Sequence, residues 1–207
     1  LKKPAAMGQA GATPRHYTPE EYFKLEEASD VRHEYYEGEV FAMAGASVSH
    51  NLIKGNLVAA LRPLARKQGC RVFDENVRLV ISERSFYAYP DVMVACDPAD
   101  RREAYQARYP VLIAEVLSPS TADYDRTEKF KQYQQLASLR HYLLVSQTAW
   151  VVEWFRRNEA GQWIYTLLTD PGSVLAIPDL RLELPLADLY DDTGVAPLRL
   201  TPAPPAG

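Results

Sequence analysis

Apolar positions recur along this chain with two different periods, and the order in which the periods alternate lays out its elements. Thr18 followed by Pro19 opens a short helix over 19–28, because threonine caps free N–H groups and proline at the first helical position lacks only a donor that has no partner there. Two short runs over 33–43 turn at Glu37-Gly38 and predict a hairpin. Beyond Ser49, taken as the cap, Ile53, Leu57, Leu61 and Leu64 repeat every three or four residues and predict a long helix, with Pro63 as a point where it can kink. Strands are expected over about 71–81, 87–95 and 111–117, and a second amphipathic helix over about 125–137. The segments 141–145, 149–156 and 163–168 read as strands again. Helix, strand run, helix and more strands make an α/β fold of the mixed α+β kind: a central mixed sheet flanked by helices, with additional C-terminal strands, and no regular βαβ repeat.

Composition sets the limits of that picture. At 207 residues and 47% hydrophobic content the chain can bury one real core, so a single domain is expected over 17–190. Leu1 is not a normal start. Residues before Met7 are taken as vector-derived or as an upstream reading, and 1–16 as an extension outside the fold. The Pro- and Ala-rich stretch 191–207 is expected to be a disordered tail. No uninterrupted apolar run of about 18 residues exists for a membrane span, and the first residues lack the apolar core of a secretory signal. Cys70 and Cys96 are too few for a disulfide framework or a zinc site and fit a reducing, cytoplasmic setting. A net charge of −4 argues against a broad nonspecific nucleic-acid surface while leaving room for a local basic groove.

The chemistry is concentrated in two acidic residues within apolar segments. Asp91 stands just inside the run 90–95, and Glu115 inside 111–117. Alternation puts Val111, Ile113, Glu115 and Leu117 on one side of their strand, a poor place for an unpaired charge. A strand-end carboxylate bonded to backbone or to an arginine is the ordinary alternative for Glu115 alone. For the pair, a shared divalent cation is the better account, and oxygen ligands favour Mg²⁺ or Mn²⁺.

Metal-assisted phosphodiester cleavage also needs a cation near the scissile phosphate. On the helix 125–137, Phe130, Tyr133, Leu136 and Ala137 make an inward arc of roughly 120° at 100° per residue. Lys129 and Arg126 fall inside that arc, whereas Lys131 points to solvent. Lys129 is therefore the candidate catalytic lysine; a lysine snorkelling at the core edge is the alternative. His50 shares the face of Ile53, Leu57 and Leu61 and either makes a structural hydrogen bond or contacts a phosphate or a metal-bound water. Glu34 or Glu39 could add a third carboxylate. Tyr87, Tyr89, Tyr105, Tyr109, Trp150, Trp154 and Trp163 are read as exposed aromatics, for packing or for base stacking.

Pro90-Asp91, then Glu115-Val116, then a displaced lysine resembles the PD-(D/E)XK nuclease superfamily, and the chain more closely resembles its Uma-two restriction-endonuclease family. The residues that carry the resemblance run from Tyr17 to about Leu189 and include Tyr17-Thr18-Pro19-Glu20-Glu21-Tyr22, His33-Glu34-Tyr35-Tyr36-Glu37-Gly38-Glu39, and Met43-Ala44-Gly45-Ala46-Ser47 with His50. Glu115-Val116-Leu117-Ser118-Pro119-Ser120-Thr121, Asp125-Arg126, Lys129, Tyr133 and Tyr142-Leu143-Leu144-Val145 complete them. The superfamily lysine two residues after the glutamate is missing, since Leu117 stands there; the resemblance implies that it has moved to the next helix, as Lys129. It further implies that Asp91, Glu115 and the Val116 carbonyl are metal ligands.

The leading expectation is a Mg²⁺-dependent endonuclease that hydrolyses DNA as a homodimer, one site per strand. A catalytically silent nuclease-fold module binding nucleic acid or protein is the alternative, and a hydrolase of small phosphate esters a weaker third.

Overall fold

The breaks in two of the apolar runs decide the architecture. A computed structural model describes residues 15–43 and 45–199; the extension 1–14, Ala44 and 200–207 lie outside the described residues. The run expected as one strand over 71–81 is two, β3 (Arg71–Asp74) and β4 (Arg78–Ser82), parted by a tight turn in which Asn76 donates to the Asp74 carbonyl. The run 87–95 likewise splits into β5 (Phe86–Ala88) and β6 (Val92–Ala95) at Tyr89-Pro90-Asp91, because Pro90 has no N–H for a ladder. At each break the chain passes from one sheet to another. Asp91 is thus not inside a strand; it stands at the crossover immediately before β6.

The first sheet contains β1 (His33–Tyr36), β2 (Glu39–Ala42) and β7 (Gln106–Ala107) in the order β2-β1-β5-β4-β7. Its hairpin turns at Glu37 and Gly38, with φ of 45° and 91°, as the right-handed twist of paired strands favours. The second sheet adds β8 (Pro110–Leu117), β9 (His141–Ser146), β10 (Val152–Arg157) and β11 (Trp163–Leu168) in the order β11-β10-β9-β8-β6-β3. Only β8 and β9 are parallel there. That pair needs a crossover, supplied by a continuous helix α3 made of Ala122–Tyr124, a π turn Asp125–Lys129, and Phe130–Tyr133. The expected mixed sheets with flanking helices are what the chain forms, together with a C-terminal hairpin of β12 (Val174–Ile177) and β13 (Leu182–Pro185).

Three apolar clusters fill the layers. One lies between the sheets and joins Leu79, Phe86, Met93, Ile113, Tyr142 and Leu144 to Phe130 and Tyr133 of α3. A second joins the other face of the second sheet to helix α2 (Val48–Lys67) and the C-terminal hairpin, through Ile53, Leu57, Leu61, Leu112, Leu143 and Leu184. The third packs helix α1 (Pro19–Ala28) on the first sheet through Tyr22, Tyr35 and Tyr87. Thr18 and Glu21 form the α1 capping box. The cap of α2 is Ser47 rather than Ser49: its hydroxyl accepts the His50 N–H at 3.1 Å. The helix continues through Pro63 to Lys67.

Several surface expectations change. Tyr87 and Trp154 are buried on strand faces that meet a second layer, and Tyr89 is buried at the crossover with its hydroxyl on Glu26; Tyr105 and Tyr109 are exposed, and Trp150 and Trp163 half-buried. The Pro/Ala-rich tail is docked as far as Pro197, with the Trp150 indole N–H on the Val195 carbonyl at 2.7 Å and a bridge between Trp150 and Pro197. Cys70 and Cys96, just beyond the paired ends of β3 and β6, form a disulfide, which removes free thiols as support for a reducing compartment. Among the described residues no helix is long and apolar enough to cross a membrane.

The disulfide closes a loop over a sequence separation of 26. Its reduction should lower the unfolding free energy by about 3 kcal/mol through loop entropy. Thermal melts with and without dithiothreitol check this, and Cys70→Ser should melt at one temperature in both.

Candidate active site

The antiparallel register Val92↔Ala114 brings Asp91 beside Glu115 at the end of the β6–β8 ladder. There the two acids hold each other's backbone. The Val116 N–H donates to Asp91 Oδ2 at 2.7 Å, and the Asp91 N–H donates to Glu115 Oε2 at 3.2 Å. In an extended strand the N–H and C=O of one residue face the same edge, so the Val116 carbonyl also lies on the Asp91 side. Alternation places the Glu115 side chain between the sheets with Ile113 and Leu117. Val111, expected on that face, packs in the other cluster because the ladder slips at Pro110–Leu112.

Lys129 enters this buried space from α3. Its ammonium lies 3.0 Å from Glu115 Oε1, 2.9 Å from Glu34 Oε1 and 3.7 Å from Asp125 Oδ1. The Tyr133 hydroxyl donates to the same Glu115 oxygen at 2.8 Å. The π turn explains which cation arrives. A turn closed by i→i+5 bonds advances fewer degrees per residue than an α turn. Asp125, four residues before Lys129, therefore stays beside it, while Arg126, three before, swings out. Arg126 is exposed and pairs with Glu153 at 2.6 Å, contrary to the inward position an ideal α-helix gives it. Lys131 is exposed, as expected.

Burial is the largest influence on Glu115, Asp125 and Lys129. It lifts the Glu115 carboxyl from 4.5 to about 8; Lys129 opposes the lift, and Asp91, Asp125 and Glu34 add to it. Asp125 is raised for the same first reason. Burial would pull Lys129 down, but Glu115 and Glu34 outweigh it and hold the ammonium well above its ordinary range. Lys129 therefore keeps its proton. Three carboxyl groups, from Glu34, Glu115 and Asp125, lie against one lysine, with Asp91 beside Glu115, and the surplus of acid is what a bound cation would relieve.

His50 reaches the pair from the other layer, with Nε2 3.1 Å from Asp91 Oδ1. One turn further along α2, Lys54 pairs with Glu75 at 2.6 Å, and the Glu75 N–H donates to the Asp91 carbonyl at 3.3 Å. The structure thus brings Asp91, Glu115, Val116, Lys129 and His50 together. It also brings in Glu34, between Lys129 and the Tyr89 N–H, while Glu39 stands opposite Tyr36 at the turn end of the hairpin. Asp125 and Tyr133 escaped the sequence reading as site residues. Their signal was present in the spacing: four before and four after Lys129, on its own face.

A family model described as "Putative restriction endonuclease", Uma2, matches residues 19–187. The chain belongs to the Uma2 family. Two Synechocystis sp. (strain ATCC 27184 / PCC 6803 / Kazusa) proteins, each named only as uncharacterized, are similar to it. One, slr1290, is 37% identical over 71% of this chain and 77% of its own; the other, sll1609, is 36% identical over 83% and 98%. A solved structure from Anabaena variabilis ATCC 29413, described as a putative nuclease belonging to DUF820, shares the fold with a TM-score of 0.71. It is 21% identical and covers 84% of this chain and 97% of that one. Uma2 membership supports a nuclease-like role for the chain.

Glu115 makes a pH test possible. Its folded carboxyl holds a proton above the unfolded value, so between 4.5 and about 8 the folded chain binds more protons, and stability is lost as pH rises through that window. In metal-free buffer the urea midpoint should fall from about pH 6 to about pH 8.5, and Glu115→Gln, uncharged throughout, should flatten the fall. An equal fall in the variant would assign the effect to other groups.

Proposed function

We propose that this Uma2 protein is a Mg²⁺- or Mn²⁺-dependent endonuclease hydrolysing DNA phosphodiester bonds. The observation that supports the reading most is the mutual clasp of Asp91 and Glu115 with a protonated Lys129 against the same carboxylate. Among the described residues no three His, Cys, Asp or Glu side chains form a ready cage for an ion. Two carboxylates with a backbone carbonyl suit Mg²⁺, which keeps several waters and borrows ligands from a phosphate. Asp91, Glu115 and the Val116 carbonyl would hold it, and the surplus acid around Glu115 fits such a guest. When bound, the ion neutralises phosphate charge and makes water a better nucleophile.

The side chains do the rest. Lys129, fixed by Glu34 and Glu115, presents positive charge where negative charge grows on the phosphate; with its proton held so firmly it serves as an electrostatic group and not as a base. His50 acts through Asp91, as a positioning residue that fixes the carboxylate on the side away from Val116. A homodimer would give one site per DNA strand. The uncharged edge strand β11, with Ile164, Tyr165 and Leu167 exposed, suits that contact, and a monomer in sedimentation equilibrium would sink this part of the reading.

Nicking of supercoiled plasmid with Mg²⁺ or Mn²⁺ tests the activity. Asp91→Asn and Glu115→Gln should abolish it, and Lys129→Gln should slow it by about 10²–10³-fold, the scale seen when one oriented charge-stabilising donor is lost. His50→Ala should weaken metal affinity by about 10–100-fold, with Asp91 still present. A wild type that binds no Mn²⁺ and cuts no form of DNA or RNA would leave a silent nuclease fold.

A further inference from the structure

Basic side chains, interrupted by the buried Val58, run away from the site along one ridge of α2. His50, Lys54, Val58, Arg62 and Arg66 follow one another at i+4, the spacing that lines side chains into a continuous ridge. Its first members are engaged, His50 on Asp91 and Lys54 on Glu75. Its last two are not. Arg62 and Arg66 are exposed and line a groove of about 520 Å³ with Arg71, Pro63, Val72 and Phe73. No acidic side chain lines that groove, and no carboxylate among the described residues pairs with any of the three arginines.

β3 links the groove to the site, while Arg62 and Arg66 stand roughly 120° and 160° around the α2 axis from the inward His50. Gly69, at a φ of 74°, reverses the chain after α2, and β3 then returns beside the helix towards Glu75 and the Asp91 carbonyl. Arg71 opens β3 at the groove; Glu75, just beyond its other end, touches the site. At 1.5 Å per residue, Arg62 and Arg66 lie about 18 and about 24 Å along the helix from His50. Phosphates of one strand follow each other at roughly 3.4 Å of duplex axis, so the distance spans about five to seven nucleotides. Three free guanidiniums in a chain of net charge −4 are a local basic track, and phosphate is the anion that their planar fork matches.

We infer that the groove between α2 and β3 binds nucleic-acid backbone through Arg62, Arg66 and Arg71, holding the strand that flanks the scissile phosphate. The inference rests on the nuclease reading for its ligand. It adds a second contact region, distant from Asp91, which contributes affinity and register without touching the reacting phosphate.

Fluorescence anisotropy of a labelled duplex of about 20 base pairs, titrated with protein in EDTA so that nothing is cut, tests it. Three phosphate contacts contribute about 2.7 to the slope of log affinity against log salt, or about 40-fold in affinity between about 50 and about 200 mM salt. Arg62→Gln/Arg66→Gln/Arg71→Gln should lose that share of the slope. Lys24→Gln/Arg84→Gln/Lys131→Gln, an equal loss of exposed charge elsewhere, should keep it. If the groove variant melts early, its single variants carry the test, each losing about 0.9 of slope. A wild-type slope in the groove variants, or an equal loss in the control, overturns the inference. Tighter binding of polyglutamate than of DNA in the groove would give it to an acidic protein instead. A wild type that nicks plasmid while its groove variants keep the full slope refutes the groove alone. Groove-dependent DNA binding without nicking in any metal refutes the nuclease reading alone, and a wild type that binds no DNA removes both.

Discussion

The Lys129 ammonium holds together a part of the molecule that would otherwise repel itself. Glu34 comes from the first sheet, Glu115 from the second and Asp125 from the helix between them, and all three lie against this one nitrogen. Buried ion pairs seldom stabilise a fold relative to apolar side chains of the same size, because desolvation offsets the attraction. They do specify geometry, since each partner left alone is costly. Here the geometry specified is the approach of two sheets and a helix at one end of their shared apolar cluster. Phe130 and Tyr133 bury the apolar side of α3 in that cluster, and Lys129 reaches past them to its acidic rim.

The other constraint is the crossover at Tyr89-Pro90-Asp91. Proline ends the ladder of β5, the chain changes sheets, and Asp91 is released from strand pairing with both carboxylate oxygens free to take partners from elsewhere. One takes the Val116 N–H and the other faces His50. A residue fully inside β6 would instead have spent its direction on one face of the sheet, away from one of those two layers. The preceding Tyr89 is anchored by its hydroxyl on Glu26 at 2.7 Å and by its N–H on Glu34 at 3.3 Å, so the crossover is held on both sides of Pro90.

What was legible in the sequence follows from which periodicities survive folding. Glu115 was readable because β8 is a long, buried strand whose alternation holds where it matters. Lys129 was readable because it sits at the junction of the π turn and the α turn, where either geometry points it inward. Arg126 was not, because an angular argument at 100° per residue fails inside a π turn. The splitting of 71–81 and 87–95 was hidden by apolar residues on both sides of each break. Only Pro90 and the Asn76 turn marked them, and pattern alone does not say that a break also changes sheets. The cysteine pair was missed for a similar reason. Cys70 and Cys96 become neighbours through the β3–β6 register, which sequence spacing does not reveal.

Charge is distributed along α2 in a way that net charge conceals. At its first turns the helix meets carboxylates, and its cationic or polar side chains are consumed by them: His50 by Asp91 and Lys54 by Glu75. At its last turns the same ridge carries arginines with no such partners, beside a disulfide-stapled edge strand. An anion approaching this ridge therefore meets attraction first at the arginine end and an acid surplus at the other. A polyanion could lie along the ridge only if something at the acidic end answered its charge. A divalent cation there would convert a repulsive terminus into an attractive one. Occupancy of the acidic end would then bear on binding along the whole ridge, even at phosphates the cation never touches.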